Sequence, residues 1–178
     1  MARPTVIKNP EDPLTSLEAD GTLAFDRFVT FKVNQLSMAF ERQWTRYMRD
    51  RAGMSLAQWR IVATLAGAGP CTFTQVVQRT GMNKSLCSRC VASLEAEGFL
   101  ESHPTPGDSR SLTLSLRRKA TKLIDQLRPV VLERQRMLLE SLTASERIAL
   151  YSAVDKLHAA AARWEQRDDK DGGESSAA

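Results

Sequence analysis

No Pro or Gly interrupts the stretch from about Leu23 to Arg49, and Phe25, Phe28, Val29, Val33, Leu36, Phe40, Trp44 and Tyr47 recur along it at helical spacing. That pattern predicts one long helix, closed near Gly53. Ser55 is a good N-cap for a second helix with Leu56, Trp59, Val62 and Leu65 on one face, and Gly67-Ala-Gly69-Pro70 stops it. Thr72, with Gln75 three residues on, has the form of a capping box and opens a short helix from Phe73 to about Arg79. Thr80-Gly81-Met82 makes a tight turn, after which Asn83 caps a fourth helix running to Gly98. Phe99–His103 and Leu112–Leu116 are two short β-like runs joined by the turn-rich PTPGDSRS. A long helical pattern begins near Arg118 and passes through Ile124, Leu127, Val131 and Leu138, with Pro129 inside it as a predicted kink. Thr143, with Glu146 three residues later, starts a last helix whose stripe is Ile148, Tyr151, Val154, Leu157, Ala161 and Trp164.

Helix, turn, helix and then a two-stranded hairpin is the order of a winged-helix module. The predicted fold is mainly α with a small β-hairpin wing (α+β), a winged helix-turn-helix flanked by long helices. Those long helices have more apolar face than so small a module can cover, which predicts burial in a homodimer. The organisation expected is an extended Pro-containing arm at 1–21, a dimerisation helix at 22–53 and the winged helix-turn-helix at 54–117. Dimerisation helices follow at 118–166 and a disordered tail at 167–178.

Composition sharpens this picture modestly. Lys and Arg number 25 against 21 Asp and Glu, for a formal charge of +4 over 178 residues. The acidic end RDDKDGGESSAA makes the remainder more basic than the total, a weak pointer to nucleic acid. Three cysteines, an odd number without a signal peptide, argue for a reducing compartment. No apolar run approaches the ~20 residues of a membrane span, and the expected location is cytoplasmic. An enzyme is not expected, nor a cofactor. There is no His-Glu-x-x-His or Gly-x-Ser-x-Gly, Gly67-Ala-Gly69-Pro70 completes no phosphate loop, and the two histidines lie in different elements.

The stretch NKSLCSRCVASLEAEGFL at 83–100 carries the chemistry. At about 100° per residue, Cys87, Val91 and Leu94 share a narrow arc with Cys90 at its edge, and that arc faces the core. Ser85 and Arg89 fall opposite, flanked by Leu86 and Ser88, with Lys84 near the helix start. Such a face suits the DNA major groove. Arg89 fits a bidentate pair to guanine, Ser85 and Ser88 fit base edges or phosphates, and Leu86 fits a thymine methyl. Asn83, Lys84 and the free N–H groups of the helix start are assigned to the DNA contact, where they favour phosphate, and Thr72 clamps another at the preceding helix. Arg110, at the tip or descending edge of the hairpin, suits the minor groove, while Asp108 forms the turn or orients a nearby Arg. The competing reading is a solvated helix face and an ordinary exposed turn.

Cys87 and Cys90 invite a metal or redox reading. Zinc needs about four ligands, and only Cys71, His103 and His158 remain, at unmotivated spacings, so no metal site is expected. A reactive dithiol wants its nucleophile exposed at a helix start. Both thiols lie deeper and on the core side, which favours cysteine as a small hydrophobe over a redox switch.

Three segments together resemble the MarR family of winged-helix transcription regulators. They are Leu56-Ala-Gln-Trp59-Arg60-Ile-Val, Asn83-Lys-Ser-Leu-Cys-Ser-Arg89 and Leu94-Glu-Ala-Glu-Gly98-Phe-Leu, followed by Asp108-Ser-Arg110 with Leu114 and Leu116. The match spans about Leu36 to Leu157. Arg117 and Ala120 depart from the Thr and Gly frequent in the family after the wing, and Arg117 and Arg118 are candidates for further phosphate contacts. The resemblance implies an obligate homodimer on a pseudo-palindromic operator of double-stranded DNA, with repression relieved by a small molecule or an oxidant. In many members an aromatic acid binds between the dimer helices and the DNA-binding lobe. Phe40, Trp44, Trp59 and Arg60 are the ingredients here for such a site, aromatic walls plus one guanidinium. The alternative is that the aromatics are core and Arg60 pairs with a carboxylate such as Glu41. A thiol-based regulator using Cys87 and Cys90, and a protein–protein adaptor that ignores DNA, are the rival functions.

Overall fold

The computed structural model describes residues 25–174, without the side chains of 109, 110 and 165–174. The expected arm at 1–21 lies outside the described residues. The chain divides into two compact units that meet between Leu123 and Ile124.

The first unit opens with a single 3-10 turn, Phe25–Arg27, followed by α1, Val29–Ala52. The long first helix therefore begins later than its apolar spacing suggests. Phe28 is extended (φ −63°, ψ 138°) and offers no side-chain cap, and the Phe25 and Phe28 rings pack at 5.3 Å across the break. Helix α2, Leu56–Ala68, starts at Ser55, whose hydroxyl accepts from the Gln58 N–H while the Gln58 side chain accepts from the Ser55 N–H. The same reciprocal box at Thr72 and Gln75 starts α3, Phe73–Thr80. Gly81 ends that helix at φ +66°, a conformation a β-carbon would strain, and so sets the turn into α4, Lys84–Ala96.

The hairpin is longer and tighter than the sequence pattern suggests. Strands β2, Leu100–Thr105, and β3, Asp108–Leu116, pair antiparallel up to Thr105 opposite Asp108. Only Pro106-Gly107 is left as the loop, with Gly107 at φ +82°, the Pro-Gly pattern of a type II turn. Pro104 is tolerated because β2 is an edge strand and the register slips beside it. A further strand, β1 at Cys71–Thr72, was not expected; it pairs with Leu114 and Thr113 and gives a three-stranded sheet in the order β1-β3-β2. The core of this unit joins Met48 of α1, Ile61, Val62 and Leu65 of α2 and Val76 of α3. Cys87, Val91 and Leu94 of α4 and Leu100 and Leu114 of the sheet complete it, each less than a tenth exposed.

Helix α5, Arg118–Glu140, crosses from the first unit into the second and contains Pro129. The second unit continues with α6, Ala144–Glu174. Thr143 caps it, exchanging bonds with Glu146, and Arg147 donates to the carbonyls of Leu139 and Leu142 at 2.9 and 2.7 Å. The helical backbone runs past Arg167, where the composition predicts a disordered tail, because extending a formed helix needs no new nucleus. Residues 175–178 lie outside the described residues. Apolar side chains stand exposed along α1 (Val29, Phe31, Val33, Leu36), α5 (Leu132, Met137) and α6 (Ile148, Tyr151, Val154, Trp164). Among the described residues no helix is long and apolar enough to cross a membrane.

Candidate nucleic-acid interface

Helix α4 owes its two faces to its local sequence. Asn83 is extended, and its side-chain oxygen accepts from the Leu86 N–H at 2.8 Å, which fixes where the helix begins. From that start, Cys87 and Leu94 fall on the core side with no exposure, and Cys90 and Val91 are buried beside them. Lys84, Ser85, Ser88, Arg89 and Ala92 fall on the exposed side, and Leu86 is half-buried at the margin. The first turn carries no acidic residue, so its N–H groups and Lys84 present unopposed positive charge. Asn83 acts here through its cap, which spends its oxygen on the helix rather than on a base.

Thr72 ends β1 and caps α3; its hydroxyl accepts from the Gln75 N–H at 3.3 Å, and the residue is half-buried. Asp108 and Arg110 fall on β3 next to the Pro106-Gly107 turn, in the places expected of a wing tip. Below them one face of the hairpin is polar. Glu101 takes Arg117 Nε at 3.2 Å, Ser115 Oγ at 3.4 Å and stands 3.5 Å from His103 Nε2. A hydrogen bond from His103 lowers the Glu101 pKa below its usual value against some desolvation, and the charges of His103 and Arg117 lower it further. Arg117, a candidate phosphate contact, is thus already held by a carboxylate.

All three cysteines are buried free thiols. Burial raises the pKa of Cys87, with Cys90 adding to the effect; burial also raises that of Cys90, which Arg89 only partly opposes. Both groups therefore stay as neutral thiols at neutral pH, the opposite of an activated nucleophile. Among the described residues no group of His, Cys, Asp and Glu side chains gathers to hold a metal.

The proposed pocket residues lie on two packed helices. Phe40 and Trp44 on α1 and Trp59 on α2 are half-buried, and the Trp44 ring meets Tyr47 edge-on at 5.8 Å. Arg60 on α2 is ion-paired with Glu41 on α1. A surface depression of about 440 Å³ runs along α1, lined by Met38, Glu41, Arg42, Thr45, Arg46 and Arg49 and by none of the four. The sequence pattern also passes over Gln58, Ser93, Glu97 and Lys119, which the fold joins across helices; the Ser55-x-x-Gln58 spacing was the one visible sign of them.

The family model described as MarR family matches residues 52–111. An HTH-type transcriptional regulator of Mycobacterium tuberculosis is 30% identical over 139 residues, covering 78% of this chain and 92% of the relative. Two solved structures share the fold. One is a MarR family transcriptional regulator from Streptomyces coelicolor in complex with DNA, with a TM-score of 0.67 and 19% identity over 76% of this chain and 90% of that one. The other is BpsR of Bordetella bronchiseptica, in a study of how 6-hydroxynicotinic acid regulates its DNA binding. Its TM-score is 0.67 and its identity 19%, over 78% of this chain and 98% of that one. With a relative matched over nearly its full length and the family model covering the helix-turn-helix and most of the wing hairpin, the chain belongs to the MarR family of DNA-binding transcriptional regulators.

Proposed function

We propose that this regulator is a cytoplasmic homodimeric repressor that binds a pseudo-palindromic operator and leaves it when an aromatic carboxylate binds. The observation that carries the reading is the polarity of α4, with cysteines and aliphatics inward and Lys84, Ser85, Ser88 and Arg89 outward behind an Asn83 cap. In this reading residues 54–117 bind DNA. Arg89 reads a guanine edge, the two serines and Leu86 fill out the groove contact, and Lys84 and Thr72 take phosphates. Arg110 is assigned to the minor groove from its place beside the wing turn, with Asp108 shaping that turn.

The dimer reading is supported by the exposed apolar rows of α1, α5 and α6, which a second copy would cover. The effector reading draws on Phe40, Trp44, Trp59 and Arg60 at the α1–α2 junction and on the aromatic acid that regulates BpsR. The raised thiol pKa values of Cys87 and Cys90 count against an oxidant as the signal.

Fluorescence anisotropy with DNA flanking the chain's own gene tests the proposal, at several salt concentrations and then with aromatic acids added. Tight, salt-steep and sequence-selective binding released by one acid is the expected result. Binding that ignores salt and survives loss of Arg89 would instead favour a protein adaptor.

A further inference from the structure

Gln58 uses both ends of its amide. Its oxygen accepts the Ser55 N–H at 2.8 Å and so completes the cap of α2. Its nitrogen donates across to α4, to Ser93 Oγ at 3.0 Å and to Glu97 Oε1 at 3.3 Å. Ser93 Oγ donates in turn to the same Glu97 oxygen at 2.8 Å, which closes a triangle of hydrogen bonds. Glu97 is the C-cap of α4, and it is held from a second side as well. Lys119 at the start of α5 donates to the Glu97 carbonyl at 2.7 Å while its ammonium lies 4.1 Å from the centre of the Phe99 ring. The far end of the DNA-reading helix is therefore tied to α2 through Gln58 and to α5 through Lys119.

We propose that Gln58 is a positioning residue for DNA recognition, clasping the C-terminal end of α4 so that its N-terminal face enters the groove at one pitch. The inference rests on the DNA-reading assignment of α4 above. Gln58 touches no base in this scheme; it acts through Ser93 and Glu97 on the placement of Ser85 and Arg89. A helix gripped at its exit has less freedom to rock, and base readout tolerates only small displacements.

The two roles of Gln58 separate chemically. Glutamate also serves in a capping box, so Gln58→Glu keeps the α2 cap. It loses both donors toward α4 and sets a carboxylate against Glu97. Glu97→Gln alone keeps an oxygen for Gln58 and Ser93. Glu97→Gln in the Gln58→Glu background supplies a donor for the new carboxylate and restores the clasp with its polarity reversed.

The test uses the full chain. Duplexes are first selected from random DNA by the wild type; affinity for the selected duplex and for a scrambled duplex is then measured for each variant, with thermal midpoints in parallel. Taking the ratio of the two affinities cancels any uniform effect of added charge. Gln58→Glu is expected to lower that ratio about tenfold with little change in thermal midpoint, Glu97→Gln to match the wild type, and the double variant to recover most of the ratio. A Gln58→Glu protein that selects like the wild type overturns the inference. So does a lost ratio that the double variant fails to restore, or one matched by a large fall in thermal midpoint. If the wild type itself selects no duplex, the DNA-reading assignment falls and the inference falls with it.

Discussion

Arg60 on α2 is paired with Glu41 on α1, so the guanidinium proposed to hold an effector carboxylate already has a carboxylate beside it. Both side chains are 43% exposed, and a pair so open to water contributes about 0–1 kcal/mol. A ligand that offers a planar carboxylate together with an aromatic ring competes with Glu41 on favourable terms. Arg60→Ala should leave operator affinity within about twofold while removing the response to the effector, and Glu41→Gln should tighten effector binding by up to about tenfold. Titration calorimetry of the aromatic acid against the three proteins measures both. Release of the Arg60→Ala protein from DNA by the same acid would remove Arg60 from the pocket.

Arg89 and Lys84 share the exposed side of α4, and the proposed DNA reading gives them different tasks. In that reading Arg89 makes a bidentate pair to a base, which is worth about 1–3 kcal/mol of discrimination, so Arg89→Ala should lose selectivity for the operator over a scrambled duplex by that amount. Lys84→Ala should weaken binding to both duplexes alike and reduce the salt slope by about one. Anisotropy at four or five salt concentrations separates the two patterns. Identical behaviour of the variants would mean that both residues contact phosphate.

Cys87 has no exposure, and burial together with Cys90 raises its pKa. A raised thiol pKa means that the folded state disfavours the thiolate. The stability this contributes is full below the ordinary thiol value and is lost as pH rises through that value toward the raised one. Folded protein should therefore react slowly with iodoacetamide at pH 7 and quickly once denaturant is added, and peroxide should leave DNA binding unchanged. Rapid alkylation of Cys87 in the folded protein at pH 7 would revive a redox role for the pair.

Much of the architecture could be read from the chain because its boundaries are chemically local. Ser55, Thr72 with Gln75, Asn83, and Thr143 with Glu146 each mark a helix start within one turn, and the structure begins α2, α3, α4 and α6 where they fall. The inward arc of α4 followed from spacing alone. Strand β1 could not be read this way: two residues have no period, and Cys71 and Thr72 are a strand only because Leu114 and Thr113 pair with them. The late start of α1 is set by the extended Phe28, where apolar spacing continues unbroken but the backbone does not. At the interface, the role of Gln58 was not legible, because its partners lie 35 and 39 positions away and only the fold brings them near.

Glu101 gathers His103, Ser115 and Arg117 on the polar face of the wing, and its lowered pKa comes first from the His103 hydrogen bond and then from the two neighbouring charges. For a carboxylate with a depressed pKa, the stabilisation is present above the ordinary carboxylate value and is lost as pH falls through the lowered one. The Glu101 side chain is more than a third exposed, so screening by water weakens the effect on melting and the effect to look for is in DNA binding. Arg117 Nε sits 3.2 Å from Glu101, which neutralises a cation at the base of the wing. Glu101→Gln frees that cation and removes one negative charge from the face. Affinity for a scrambled duplex should rise at low salt and the salt slope should steepen by about one, while selectivity for the operator stays the same or falls. An unchanged slope in the Glu101→Gln protein would place Arg117 away from the phosphate backbone, leaving its pairing with Glu101 as a device that stiffens the hairpin where β3 passes into α5.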